Sequence, residues 1–202
     1  MTQATPLPLA SATPKAQPPL RQVLHVGCGA ANPAKVPQDF FPFAAWTELR
    51  LDIDPNVAPD IVASITDMAP VATGSVDAVW SAHNLEHLRA HEVPIALAEF
   101  RRVLRPNGFI LVTMPDLQQI AQLICEDRLE GTAYVSAMGP IMPLDMLYGF
   151  GPSIAEGNDF MGHRTGFTAT SLAAHLVRAG FVDVQVQRDG AFALWASAVN
   201  PA

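Results

Sequence analysis

Two glycines and two aspartates occur at positions where they could form a ligand site. Gly27 and Gly29 directly follow the apolar run at 23–26, and a ligand can approach such a turn closely because glycine has no Cβ. Asp52 ends the next apolar segment and Asp67 precedes the one after it. A carboxylate at either position can accept hydrogen bonds from hydroxyl or amino groups. The glycine pair alone is a weak signal, because ordinary strand-ending turns carry it about as often.

The residues after the glycine turn distinguish between two classes of ligand. A dinucleotide site needs a third glycine or alanine, followed by a helix whose N-terminus holds the pyrophosphate. Here Asn32 occupies the third position and Pro33 follows it, so a short or missing helix is expected. The turn therefore argues against a nicotinamide-dependent oxidoreductase. It favours a ligand without phosphates, such as an uncharged nucleoside joined to an amino acid.

The elements that must position these residues alternate between strands and helices. Apolar runs predict strands at 23–26, 49–53, 76–81 and 109–114, and helical spacing predicts helices at 92–104 and 116–130. Such alternation predicts an α/β fold with a mostly parallel sheet and helices on its faces.

The C-terminal part of the chain predicts a different connection. Thr170 is expected to cap a helix that ends at Gly180, and an alternating strand follows from residue 182. The dipeptide Asp189-Gly190 then predicts a two-residue turn into a final strand at 191–199. We therefore expect the sheet to end in an antiparallel hairpin.

Composition excludes several broad classes of protein. A net charge of −7 with only 12 thinly spread Lys and Arg residues argues against nucleic acid as a partner. No stretch approaches the ~18 apolar residues of a membrane span. The two cysteines fit no disulfide framework or zinc motif, which is typical of a cytoplasmic protein. Residues 1–20, with five prolines, are expected to form a disordered Pro/Ala-rich leader, and residues 21–202 a single domain.

Six pieces of the sequence together carry a family resemblance. In order they are LHVGCG (24–29), LDIDP (51–55), TDM (66–68), SVDAVWSAHNLEHL (75–88), RVLRPNGFILVTMPDL (102–117), and HRTGFT (163–168) followed by RAGF (178–181). Their order and spacing resemble the class I S-adenosylmethionine-dependent methyltransferases, in particular the small bacterial type 11 branch. The resemblance implies a Rossmann-like sheet of seven strands and S-adenosylmethionine as the cofactor.

The resemblance also implies which residues bind the cofactor. Gly27 and Gly29 would flank its methionine portion, Asp52 would bind the ribose, and Asp67 with Met68 would lie at the adenine. No metal is expected. The full predicted cofactor-binding set is His25, Gly27, Cys28, Gly29, Asp52, Ile53, Asp67, Met68, Ser81, Ala82 and His83.

One position in this set departs from the family pattern. Many members have an acidic residue two positions before the first glycine, where it helps to orient the ammonium group of the cofactor. Here that residue is His25, which accepts through one ring nitrogen when neutral but supplies no negative charge.

Two histidines are candidates for catalysis. His83 follows the predicted strand at 76–81, at the sheet edge where ligands bind, and could take a proton from the methyl acceptor. It could equally order the loop or touch the cofactor. His163 could close over the acceptor or fix a loop. The expected acceptor is a small molecule that is methylated at oxygen in preference to nitrogen or carbon.

The segment at 132–162 interleaves aromatic residues with Gly, Pro and Met. It suits a lid or acceptor pocket, and it suits a homodimer contact equally well.

A protein that binds S-adenosylmethionine for regulation, without transferring methyl groups, is the alternative function.

Overall fold

A computed structural model of the chain describes residues 19–136 and 138–202. The expected disordered leader at 1–20 lies almost entirely outside the described residues. The strands are β1 (Arg21–Val26), β2 (Trp46–Asp52), β3 (Ile61–Val62), β4 (Val76–Ala82), β5 (Leu104–Pro115), β6 (Tyr134–Ser136), β7 (Gly139–Ile141), β8 (Val182–Arg188) and β9 (Ala193–Val199). The α-helices are α1 (Val93–Val103), α2 (Leu117–Cys125), α3 (Pro143–Tyr148), α4 (Gly151–Ala155) and α5 (Ala169–Arg178).

Seven strands form one sheet in the order β3-β2-β1-β4-β5-β9-β8. The first five strands pair in parallel, whereas β9 is antiparallel to both β5 and β8. The predicted α/β fold, with its mostly parallel sheet and C-terminal antiparallel hairpin, is confirmed. The order reverses between β1 and β4, and open sheets of this kind bind ligands at that switch point, beyond the carboxyl ends of the strands.

The two faces of the sheet are covered differently. Leu24 and Val26 of β1 point into the main core, where Phe100 of α1 and Leu176 of α5 are fully buried. On the opposite face, Phe41 from the β1–β2 connection packs on a separate aromatic cluster. That connection contains a 3-10 turn, Pro33–Lys35, in place of a long helix, as the prolines predict.

Several predicted boundaries were wrong. The loop of the C-terminal hairpin has four residues instead of two, because the Asp189 carboxylate accepts from the amides of Ala191 and Ala193 and holds a wider turn. Helix α2 ends at Cys125, before Asp127 takes a left-handed φ of 58°. Thr168, not Thr170, caps α5 by accepting from the amide of Ser171.

Within the two described ranges, no helix combines the length and the apolar character that crossing a bilayer requires.

Candidate active site

The glycine turn after β1 has the backbone that its sequence predicts. Gly27 and Gly29 have φ values of +63° and +58°, in the left-handed region that favours glycine. A Cβ on Gly27 would lie 2.6 Å from Nδ2 of Asn84, so that side chain fills the space beside the turn. Glycine is therefore required at position 27 for both conformation and space.

Two cations hold the carbonyl groups of this turn. Nη2 of Arg50 donates to the carbonyl of Gly29 at 2.6 Å, and its Nη1 donates to Ala58 at 2.8 Å. Nζ of Lys35 donates to the carbonyl of Cys28 at 3.0 Å. The turn is thus fixed from two sides before any ligand binds, which reduces the entropy that binding must overcome.

The Asp52 carboxylate connects the end of β2 to the turn. Its Oδ2 accepts from the amide of Gly29 at 2.7 Å, and its Oδ1 accepts from the amide of Asp54 at 3.0 Å. A carboxylate has about four acceptor positions, so each oxygen can accept one further hydrogen bond. Asp54 itself caps the next turn by accepting from the amide of Asn56.

A cavity of about 360 Å3 opens at this turn, and we call it the glycine-turn cavity. Its floor includes both glycines and Asp52, and its wall includes the half-exposed side chain of Ile53. The remaining lining residues are Asp54, Val57, Ala63, Ser64, Ile65, Thr66, His83, Asn84, His87, Leu88, Glu92, Asn158, Phe160, Met161 and Arg164.

A second cavity of about 400 Å3 lies beyond the ends of β4 and β5, and we call it the aromatic cavity. Trp80 and Trp195 stack on each other in its wall with ring centroids 5.5 Å apart. The other lining residues are Ala82, His83, His87, Thr113, Pro115, Tyr134, Ile141, Asp145, Met146, Phe150, Met161, His163, Asp189, Ala191, Phe192 and Ala193. Three residues, His83, His87 and Met161, line both cavities. The two cavities therefore meet at these side chains.

His83 stands at this junction in an unusual conformation. Its φ is +48°, a strained value for a residue with a Cβ and one that recurs at functional sites. Its amide donates to the carbonyl of Thr113 at 2.9 Å, which anchors it beside β5. Nδ1 lies 3.2 Å from Oε1 of Glu86. Burial lowers the pKa of His83, but the bond to Glu86 and its charge outweigh burial, so the pKa is raised.

Glu86 is the most buried charged group of the site, with 1% of its surface exposed. Burial alone would raise the pKa of its carboxyl, but His83 and His87 beside it lower the pKa below the ordinary value. The carbonyl of Glu86 accepts from the amides of Arg164 and Thr165. These bonds bring the segment that contains His163 to the junction.

Known proteins share both a sequence segment and the fold. Residues 24–112 match the family described as a methyltransferase domain. Over 138 residues the chain is 31% identical to a malonyl-[acyl-carrier protein] O-methyltransferase of Laribacter hongkongensis, in an alignment that covers 57% of this chain and 44% of that protein. The chain thus spans less than half the length of this curated relative.

Solved structures agree in fold. A SAM dependent methyltransferase from Archaeoglobus fulgidus superposes on 89% of this chain and 86% of its own, with a TM-score of 0.57 at 14% identity. The fold is that of the class I methyltransferases. A 1,6-didemethyltoxoflavin-N1-methyltransferase from Burkholderia thailandensis, solved with 1,6-didemethyltoxoflavin and S-adenosylhomocysteine, covers 91% of this chain and 72% of its own, with a TM-score of 0.53 at 15% identity.

The glycine-turn cavity fits S-adenosylmethionine, the cofactor of the class I methyltransferases. Its floor has acceptor positions on Asp52 for two hydroxyl groups. Nδ2 of Asn84 is buried beside Gly27 and has no hydrogen-bond partner among the described residues. A buried donor of this kind fits a ligand that carries an acceptor, such as a carboxylate.

Not every residue in the predicted cofactor set lines the glycine-turn cavity. His25 is buried beneath the turn, where its Nδ1 lies 2.6 Å from Oε1 of Glu48. Cys28 and Ser81 are buried and line neither cavity, and Ala82 lines the aromatic cavity instead. Side chains alternate along a strand, so only some of the residues at a strand end can face the ligand.

Asp67 and Met68, which were predicted to lie at the adenine, do not line the glycine-turn cavity either. Met68 is fully buried in the main core, and its amide donates to Oε2 of Glu99 at 2.7 Å. Asp67 is exposed next to the wall that Ser64 and Thr66 form, and its Oδ1 accepts from the amide of Ala69. The cavity wall is thus formed one to three residues before the predicted pair.

Sequence reasoning missed four residues that shape the candidate site. Arg50 and Lys35 hold the turn, Asn84 packs against it, and Glu86 lies under the junction. Asn84 and Glu86 belong to the quoted segment 75–88, so a carboxamide and an acid directly after His83 were the available signal. Arg50 in β2 and Lys35 in the 3-10 turn gave none, because single cations are common at positions that are not fully buried.

Proposed function

We propose that this protein transfers a methyl group from S-adenosylmethionine to a small-molecule acceptor held in the aromatic cavity. The observation that carries the proposal is the junction: His83, His87 and Met161 line both cavities. A methyl donor on the glycine-turn side and an acceptor on the aromatic side would then meet at one point. Holding two reactants in this way supplies several kcal/mol of the barrier reduction.

The chain's own residues divide into those that bind and those that act at the junction. When bound, S-adenosylmethionine supplies a methyl carbon whose bond to sulfur breaks as the acceptor attacks, with the electron pair going to sulfur. Asp52 binds the ribose hydroxyls, and the face of Ile53 packs on the adenine. The glycine turn, with Asn84, binds the amino-acid end. Asp67, whose side chain is exposed beside the wall, could reach the adenine amino group only from the rim.

The chemistry of the aromatic cavity favours a neutral acceptor with a hydroxyl group. Its lining includes the carboxylates of Asp145 and Asp189, and none of the described residues that line it is an Arg or a Lys, so an anionic acceptor would be repelled. Oγ1 of Thr113 is buried in this wall without a hydrogen-bond partner among the described residues. The Thr113 hydroxyl can bind a polar group of a planar acceptor that packs against the aromatic side chains of this cavity.

His83 is proposed to accept the proton from the hydroxyl group of the methyl acceptor. With Nδ1 held by Glu86, the other ring nitrogen is available for the acceptor, since a neutral imidazole accepts at one nitrogen. His163 lines the aromatic cavity with its Nδ1 held 3.0 Å from the carbonyl of Met146, and we assign it to the closing wall. The segment at 132–162 then serves as the lid of the acceptor pocket, since Tyr134, Ile141 and Phe150 line that cavity.

Ligand binding tests the first half of the proposal. S-adenosylhomocysteine at 100 times its dissociation constant adds about 2.7 kcal/mol, which raises the melting temperature of a chain of this size by about 5–10 °C. NAD is expected to produce no shift. A shift with NAD and none with S-adenosylhomocysteine would refute the assignment.

Turnover tests the second half and separates an enzyme from a silent binding protein. Phenols and other hydroxylated aromatic compounds are screened by release of S-adenosylhomocysteine, with malonyl thioesters included because the curated relative is a malonyl-carrier methyltransferase. His83→Ala is expected to lower kcat about 10²–10⁴-fold without weakening the binding of S-adenosylhomocysteine comparably. Binding without turnover of any class of acceptor would favour the regulatory alternative.

A further inference from the structure

The junction of the two cavities contains an acid and two histidines in one cluster. Glu86, His87 and His163 each offer one ligand atom, and these three atoms lie within 4.8 Å of one another. Two histidines and one carboxylate form the ligand set of many zinc and non-haem iron sites. The bonds from the amides of Arg164 and Thr165 to the carbonyl of Glu86 hold the two halves of this cluster together.

Glu86 supplies an independent sign that this cluster takes a ligand. Its side chain is 1% exposed, and Oε1 faces Nδ1 of His83 at 3.2 Å. Oε2 is buried and has no hydrogen-bond partner among the described residues. A buried carboxylate oxygen without a partner is costly, and a cation at Oε2 would remove that cost.

His87 lies beside Glu86 in this cluster. Its Nδ1 lies 3.2 Å from the carbonyl oxygen of Gly162, and its Nε2 lies 3.1 Å from the carbonyl oxygen of His83. One of these contacts opens when that ring nitrogen binds a metal ion, and the other contact then keeps the ring oriented.

We propose that Glu86, His87 and His163 bind a divalent first-row transition metal ion at the junction of the two cavities. Nε2 of His163 is the ligand atom there, because its Nδ1 faces the carbonyl of Met146 at 3.0 Å. His87 and His163 line the aromatic cavity, so the ion is reachable from it and keeps a coordination position open on that side.

The open position is where the ion acts, and this part rests on the proposed function. An acceptor hydroxyl bound there loses its proton more readily, because the ion stabilises the oxyanion. The proton passes to His83, whose Nδ1 shares Glu86 with the ion. The ion therefore selects acceptors that have an oxygen ligand, such as phenols and catechols.

Zinc binding tests the site directly. Chelator-treated protein is titrated with Zn²⁺ by calorimetry and with Co²⁺ by visible absorption. One ion per chain is expected, and His163→Ala should weaken binding at least about 100-fold. His91→Ala, at an exposed position, and Cys125→Ser, at an exposed thiol, should bind as the unsubstituted protein does. No saturable binding, or equal binding by His163→Ala, overturns the site.

Two further measurements keep the result decisive. Glu86→Gln should also lose zinc binding. Circular dichroism on each variant separates loss of the site from loss of the fold, and His163→Ala is expected to disturb the fold less than Glu86→Gln. S-adenosylhomocysteine binding is measured on the same samples. Cofactor binding without zinc binding ends the metal proposal and leaves the proposed function standing. Zinc binding without cofactor binding ends the proposed function and leaves the metal site standing.

Discussion

Oδ2 of Asp52 accepts a hydrogen bond from the backbone amide of Gly29 at 2.7 Å, and this contact joins the end of β2 to the turn after β1. The two residues are distant in sequence but adjacent in the sheet, since Val26 pairs with Leu51 in parallel register. One carboxylate thus both orders the turn and presents its free acceptor positions to the glycine-turn cavity.

Asp52→Ala is expected to weaken S-adenosylhomocysteine binding about 10–100-fold. Hydrogen bonds to a charged group are worth about 1.5–3 kcal/mol, and the turn loses its support as well. Calorimetric titration measures the change. Asp39→Ala, at an exposed position, is the matched control. A dissociation constant unchanged in Asp52→Ala would remove Asp52 from the cofactor site.

Gly27→Ala is expected to be more damaging than Gly74→Ala. Both glycines have φ near +62°, so each substitution costs about 1–2 kcal/mol of backbone strain. Only at Gly27 does the new Cβ meet a neighbour, Nδ2 of Asn84 at 2.6 Å, whereas nothing lies within 4 Å at Gly74. Chemical denaturation and cofactor titration of both variants separate strain from the clash. Equal losses in the two variants would show that the space beside the turn does not matter.

Stability is expected to fall as pH is lowered below 6.5, partly because of His25. Burial lowers the pKa of His25 from its ordinary value of 6.5, although Glu48 opposes the shift. Below 6.5 the unfolded chain therefore binds a proton that the folded chain does not, so the free energy of unfolding decreases until pH passes the lowered pKa. One such group contributes at most about 1.4 kcal/mol per pH unit.

His25→Asn keeps a donor for Glu48 and removes the titrating ring. Urea denaturation between pH 7.5 and 5.5 should show a shallower loss of stability for this variant than for the unsubstituted protein. His91→Asn, an exposed control, should leave the slope unchanged. An identical slope in His25→Asn contradicts the assignment.

Arg102→Lys is expected to destabilise the fold by about 1–2 kcal/mol. The guanidinium of Arg102 binds the carbonyls of Met68 and Val71 and the carboxylate of Glu99. A lysine cannot reproduce this fork. The ion pair is partly exposed, so most of the loss comes from the carbonyl bonds. Thermal denaturation measures it against Arg89→Lys at an exposed position, and equal melting temperatures would contradict the prediction.

Local rules account for what the sequence predicted well. β1 ends just before Gly27, and β2 ends at Asp52. Parallel strands present their carboxyl ends at one edge of the sheet. Their proximity therefore follows from the alternation of strands and helices alone. The short first crossover follows in the same way from the fixed φ of its prolines.

Contacts between distant segments decided the rest. Glu86 and His163 are far apart in sequence, and no spacing rule predicts that the amides of Arg164 and Thr165 bind the carbonyl of Glu86. Met68 faces the core because Glu99 and Arg102 of α1 fix the backbone around it. The sequence by itself determined the mostly parallel sheet, the glycine turn and the position of Asp52 at a strand end, because these depend on local patterns along the chain. The junction of the two cavities depends on packing across the sheet edge, and only the tertiary structure decided it.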